Sequence, residues 1–65
     1  MSLLYGARSV ELLRGRHDGR AMVALPSENT IEITEMNNNY KRTKYTYKRF
    51  DSTRFLFFSD EELDG

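Results

Sequence analysis

The sequence contains no cysteine and only one histidine, His17. Without cysteine the chain can form no disulfide and has no thiol chemistry, which is consistent with a reducing compartment. A metal site needs several ligands at suitable spacing, and a lone histidine does not supply them. We therefore expect no metal and no cofactor.

Catalytic and membrane signals are also missing. No apolar run approaches the roughly 18 residues that a spanning helix needs, and the first residues do not resemble a secretory signal. We expect a cytoplasmic protein without a membrane partner, in the host cytoplasm if a virus or phage encodes it. A nucleophile would have to use His17, which is expected in a polar turn with nothing to bury it, and the four glycines form no phosphate-binding loop. We therefore expect no enzyme.

The size and charge of the chain suggest one small domain. Sixty-five residues are close to the lower limit for a stable core, but 38% hydrophobic content is too high for a disordered chain. The net charge of zero combines nine basic against five acidic residues in 1–50 with one against five in 51–65. We predict a β domain over residues 1–58, followed over 59–65 by an acidic tail or a single helical turn. The helical turn is suggested by the capping-box pattern from Ser59 to Glu62.

Turn-forming residues separate short runs rich in β-branched and aromatic residues. These runs predict strands near Ser9–Arg14, Arg20–Leu25, Thr30–Met36, Tyr40–Phe50 and Arg54–Phe58. The expected fold is mainly β: a small antiparallel sheet or a barrel similar in outline to SH3-like and OB-like barrels, with or without one short terminal helix. Such an outline occurs with many functions, so it implies none.

The first hairpin has two open features. Asp18-Gly19 is typical of a type I′ turn between its strands. The stretch that starts at Ser9 would also suit a short helix, with Ser9 as its N-cap and Gly15 at its end, so residues 2–14 are open between helix and strand. That alternative would make the fold α+β.

The segment Tyr40–Phe50 holds five of the ten basic residues, four aromatic residues and no acid. Cations that bind phosphates and rings that stack on bases are typical of a nucleic-acid-binding surface. A strand whose rings pack inward while its lysines stay in water has the same composition. Strand alternation places Tyr45 and Tyr47 on one face and Lys44 and Lys48 on the other.

The loop at residues 37–39 sets the register between this segment and the preceding strand. A three-residue loop pairs Glu32 with Lys44 and Glu35 with Lys41, and we prefer this register. A five-residue loop keeps the same faces but loses the charge pairs. In the preferred three-residue register the basic face has acidic neighbours, which weakens the nucleic-acid interpretation.

Residues 54–58 carry large apolar groups on both faces, with Phe55 and Phe57 pointing one way and Leu56 and Phe58 the other. One face is expected to meet a core of Val23, Leu25, Ile31, Ile33, Tyr45 and Tyr47. The other is covered by residues 3–5, forms a homodimer interface, or binds another protein, since large exposed apolar patches mark interaction sites.

Two functional hypotheses follow. The first is a protein-interaction module, an adaptor or inhibitor that binds a partner protein or self-associates; an accessory subunit would look the same in sequence. Its predicted partner-binding residues are Phe55, Leu56, Phe57, Phe58, Arg42, Lys48 and Arg49. The alternative is a nucleic-acid-binding domain that uses residues 40–50. Contacts with phosphate or with an acidic partner are predicted for Arg14, Arg16 and Arg20, and stacking on bases for Tyr40 and Tyr47.

Overall fold

The computed structural model describes residues 6–63, which form five strands and no helix. The strands are β1 (Arg8–Leu13), β2 (Ala21–Ala24), β3 (Thr30–Met36), β4 (Arg42–Arg49) and β5 (Arg54–Glu62). They form one sheet in the order β2-β1-β5-β4-β3, curled into a half-barrel. This confirms the prediction of a mainly β fold of the small SH3-like or OB-like type. Nowhere in residues 6–63 does a helix occur that could cross a membrane.

The sheet is mixed rather than wholly antiparallel. A β1–β2 hairpin and a β3–β4–β5 meander are joined where β1 lies parallel to β5. The alternative of an N-terminal helix is wrong for residues 8–13, which are β1. Residues 3–5, predicted as a cover for the phenylalanine strand, lie outside the described residues.

The core lies on the concave face of the half-barrel, which we call the inner face, and every strand contributes to it. Its buried residues are Val10, Leu12, Ala24, Ile31, Tyr47 and Phe55. Met22, Ile33, Tyr45 and Phe57 pack against them. Val23 was predicted to be in the core but is 59% exposed, because strand alternation turns Met22 and Ala24 inward instead.

The β3–β4 register is that of the five-residue loop, not the preferred three-residue loop. Met36 pairs with Arg42 and Ile31 with Tyr47. The Asn37 side chain accepts hydrogen bonds from the backbone N–H groups of Asn39 and Lys41. An asparagine that organises its own loop in this way favours the wider connection. The faces are those predicted, because both registers have the same parity.

The predicted helical turn after Ser59 is wrong for residues 59–62, since β5 continues through Glu62. The strand therefore crosses the predicted domain boundary at residue 58. Residues 59–62 pair with residues 43–46 of β4. Pairing with an existing strand satisfies more of the backbone N–H and C=O groups than one isolated helical turn would. Such a turn is also unfavourable to nucleate.

The β1–β2 connection is a wide loop over residues 14–20 rather than a tight Asp-Gly turn. The ladder closes with hydrogen bonds from the N–H of Gly19 to Leu12 O (2.7 Å) and from the N–H of Leu12 to Arg20 O (2.9 Å). Gly15 has a φ of 67° and lies so close to the sheet that a Cβ there would be 2.6 Å from Phe57 Cδ1. The loop is thus folded onto the end of the inner face.

Candidate interaction surface

The basic start of β4 lies against the acidic end of β5. Lys44 Nζ is 3.3 Å from a Glu32 carboxylate oxygen and 3.6 Å from one of Glu61, and Lys41 Nζ is 3.7 Å from one of Glu62. Hydrogen bonding and charge from Glu32, with a further contribution from Glu61, raise the pKa of the Lys44 amine above its usual value. The sheet itself therefore supplies carboxylates to the basic segment, which leaves less positive charge for a nucleic-acid backbone.

The predicted charge pairs have a mixed outcome. The Glu32–Lys44 contact forms, although across a diagonal, since Lys44 pairs with Thr34 in the ladder. The Glu35–Lys41 pair does not form. Glu35 instead contacts His17, with 2.8 Å between Oε1 and Nε2.

A β-bulge in β5 changes the side-chain alternation after Phe58. Tyr47 pairs with Phe57 and Thr46 with Ser59, so Phe58 is an extra residue without a partner across the ladder. A bulge of this kind redirects side chains locally. Lys48 Nζ lies 3.7 Å from the centroid of the Phe58 ring, which places that ring on the convex face of the sheet, here called the outer face.

Leu13, Leu56, Phe58 and Lys48 form a cluster on the outer face, and we call it the outer cluster. Leu13 pairs with Leu56 between β1 and β5, and Leu56 pairs with Lys48 between β5 and β4. Phe58 is 58% exposed, whereas the two leucines are half-buried. The outer cluster is thus an apolar surface with a cation at its rim. Sequence reasoning missed Leu13; the adjacent Leu12 and Leu13, which must point to opposite faces, are the signal for it.

The phenylalanine strand separates into core and surface residues. Phe55 is fully buried and Phe57 packs against the core on the inner face. Phe55 therefore has no exposed surface to offer a partner, whereas a partner contact by the half-buried Phe57 stays a prediction. Leu56 and Phe58 lie on the outer face, as the alternation predicted.

Arg49, predicted as a partner-binding cation, has its guanidinium engaged within the chain. It donates to the backbone carbonyls of Leu25, Glu28, Asp51 and Ser52 at 2.9–3.2 Å. Its Cζ lies 4.6 Å from the centroid of the Phe55 ring. Arg49 therefore holds the β2–β3 and β4–β5 loops together. Arg42, the third predicted cation, is exposed at the start of β4.

The two tyrosines predicted to stack on bases differ completely in exposure. Tyr40 is 82% exposed in the β3–β4 loop, whereas Tyr47 is fully buried. Tyr47 accepts a hydrogen bond from the His17 N–H (3.0 Å) and donates one to Arg14 O (2.6 Å). Stacking by Tyr47 is therefore excluded, because its hydroxyl anchors the 14–20 loop to the sheet.

His17 was expected to be exposed in a polar turn, but it is only 8% exposed. Its ring meets that of Tyr45 edge to face, with 5.2 Å between centroids. Glu35 approaches Nε2 without the geometry of a regular hydrogen bond. The loop's fold onto the inner face buries the ring, and no local sequence signal indicates this long-range packing.

The three arginines of the 14–20 loop do not form one cluster. Arg16 Nε contacts a Glu35 oxygen at 3.5 Å, and Arg20 Nη1 lies 3.4 Å from His17 Nδ1. Arg14 is exposed, and its φ of 70° turns the chain sharply. The predicted arginine-rich phosphate contact therefore has two of its three side chains directed to neighbours within the fold.

No protein-family model, curated protein or solved structure matches this chain. Among residues 6–63, no group of three or more histidine, aspartate or glutamate side chains is arranged to hold a metal ion. The outer cluster combines an exposed aromatic ring with a neighbouring amine.

Proposed function

We propose that this chain is a small non-enzymatic protein-interaction module that binds a partner protein through the outer cluster. The observation that supports this most is the Phe58 ring, which is 58% exposed in the middle of a sheet face. Exposed aromatic rings surrounded by aliphatic side chains are typical of protein interfaces, where such groups supply most of the contact area.

The composition of the outer cluster favours a partner of a particular chemistry. Leu56 and Phe58 offer an apolar surface, and the Lys48 amine over the ring adds a positive charge at its edge. A partner with apolar side chains flanked by a carboxylate would fit both. By covering such a surface the chain would act as an adaptor or inhibitor. We place this action in the cytoplasm, of a host cell if the chain is viral.

The test compares two phenylalanines of nearly equal exposure. Phe58→Ser removes the ring of the outer cluster, and Phe50→Ser removes a ring that is 60% exposed in the β4–β5 turn. Both variants should fold, because neither ring is buried. The wild-type chain and both variants are immobilised, incubated with extract of the native host, and compared by quantitative mass spectrometry.

We expect a host protein that the wild type and Phe50→Ser recover in equal amounts. Phe58→Ser should recover at least about tenfold less of this protein, as for interface hot spots. Its recovery should persist at high salt, because apolar contact is not screened. Equal recovery by both variants would contradict the proposal. So would retention of DNA or RNA alone that disappears with salt, which is the signature of phosphate binding. Dimerisation in solution that Phe58→Ser abolishes would identify a second copy as the partner.

A further inference from the structure

A cavity of about 280 Å³ opens at the end of the half-barrel where β1 and β5 begin, away from the outer cluster. It is lined by Arg8, Ala24, Pro26, Arg49 and Ser52. Two of these residues are arginines and none is acidic. Ala24 and Pro26 add small apolar surface and Ser52 adds a polar residue, so the cavity combines concentrated positive charge with apolar surface.

The charge of Arg49 has no carboxylate to balance it among residues 6–63. Its four hydrogen bonds go to neutral backbone carbonyls. Asp51 is the nearest acid in sequence, but its side chain is held by Arg54, with 2.7 Å between Oδ2 and Nε. A guanidinium has five N–H donors, so one on Nη2 has no acceptor within the described residues. Half-buried positive charge of this kind favours a nearby anion.

Arg8 adds a second uncompensated charge at the same cavity. It pairs with Ala24 at the start of β1, and its side chain is exposed. No carboxylate of residues 6–63 lies within ion-pair distance of it. Unlike Arg16 and Arg20, Arg8 therefore keeps its planar pair of donors available for a ligand.

We propose that this cavity binds the carboxylate group of a small apolar acid, held by Arg8 with Arg49 behind it. The carboxylate comes from a free organic acid or from the C-terminus of a peptide. A guanidinium matches a carboxylate with two parallel hydrogen bonds, and Ala24 and Pro26 contact the aliphatic group next to it. The volume is at the small end of the range for ligand sites, which suits an acid of a few carbon atoms.

The test is an NMR titration of the full chain, at constant ionic strength, that follows the backbone amides of residues 24–25 and 49–52. The probes are isobutyrate, inorganic phosphate, and a short peptide ending in valine with either a free or an amidated C-terminus. Arg8→Gln removes the charge and the planar pair of guanidinium donors, and Arg8→Lys keeps the charge without that planar pair. Arg14→Gln is the matched control, because Arg14 is also exposed but lies at the opposite end of the half-barrel.

We expect saturable binding of isobutyrate or of the peptide with a free C-terminus. Arg8→Gln should weaken this binding about tenfold or more, Arg8→Lys should weaken it less, and Arg14→Gln should leave it unchanged. Tighter binding of the peptide identifies a chain terminus as the ligand, and equal binding identifies a free acid; both support the site. Equal binding of the amidated peptide, equal loss in both glutamine variants, tighter binding of phosphate, or no saturation would overturn the proposal. A negative result for the cavity would not contradict the proposal for the outer cluster. The two are tested separately, because Phe58→Ser does not alter the cavity.

Discussion

Replacing Arg49 should destabilise this domain far more than replacing any exposed cation. The residue was expected from sequence to bind a partner, yet its guanidinium joins two loops through four backbone carbonyls. Arg49→Met keeps the aliphatic part of the side chain but removes every donor and the guanidinium that lies over the Phe55 ring. The variant therefore measures what the guanidinium contributes while most of the aliphatic side chain stays in place.

The magnitude follows from the two carbonyls that water reaches least. The bonds to Leu25 O and Asp51 O are part-buried and 3.0 Å long, whereas those to Glu28 and Ser52 are exposed. A hydrogen bond to a charged group contributes about 1.5–3 kcal/mol, so losing both part-buried bonds costs about 3–6 kcal/mol. A domain of this size is stable by only about 3–10 kcal/mol. Arg49→Met should thus lose most of its stability.

The assay is urea unfolding followed by circular dichroism. Arg49→Lys should lose less than Arg49→Met, because an ammonium retains charge and donors but cannot reach both loops at once. The control is Lys48→Met on the preceding residue of β4, which removes one exposed contact with Phe58 and should cost about 0.5–1 kcal/mol. If Arg49→Met unfolds at the same urea concentration as Lys48→Met, the structural role assigned to Arg49 is wrong.

Two further predictions concern the loops. Gly15→Ala should cost about 2–4 kcal/mol in urea unfolding, because it combines a left-handed backbone with a Cβ 2.6 Å from Phe57. Gly19→Ala, at φ 83° with open space around it, should cost only about 1 kcal/mol. Equal losses in the two variants would refute the close contact between residue 15 and Phe57. The Arg54 side chain donates to Asp51 and holds the pKa of that carboxyl below 3.8, so its contribution is present above the unfolded pKa and is lost as the pH falls through the lower folded value. Asp51→Asn should therefore flatten the loss of stability on acidification, and an unchanged acid limb would contradict this.

The strands were predictable because their signals are local. Alternating β-branched and aromatic residues, with turn residues between them, indicated all five strands, and Thr30–Met36 was predicted with its observed bounds. The β3–β4 register was not, because exposed charge pairs contribute only a few tenths of a kcal/mol and do not decide between loops of equal parity. The Asn37 side chain decides it instead, through hydrogen bonds that depend on the loop's own geometry.

The candidate site was predictable only in part, since it depends on contacts between distant segments. Alternation indicated that Leu56 and Phe58 share a face. It did not indicate that Arg49 would donate hydrogen bonds to carbonyls of two loops, or that the Tyr47 hydroxyl would hold the 14–20 loop. The contacts of Arg49 with the β2–β3 loop and of Tyr47 with the 14–20 loop join residues more than 20 positions apart. Composition contains no information about which distant carbonyl a side chain will meet.

The bulge at Phe58 connects the two functional interpretations of this sequence. Without the extra residue, strict alternation beyond Phe57 would turn Glu61 to the inner face, away from Lys44. With it, Glu61 lies on the outer face, within 3.6 Å of Lys44 Nζ. The Phe58 ring lies beside Lys48 on the same face, where alternation from Leu56 already places it. The bulge therefore brings an acid that lowers the available positive charge of the basic segment to the face that carries the ring proposed to bind a protein.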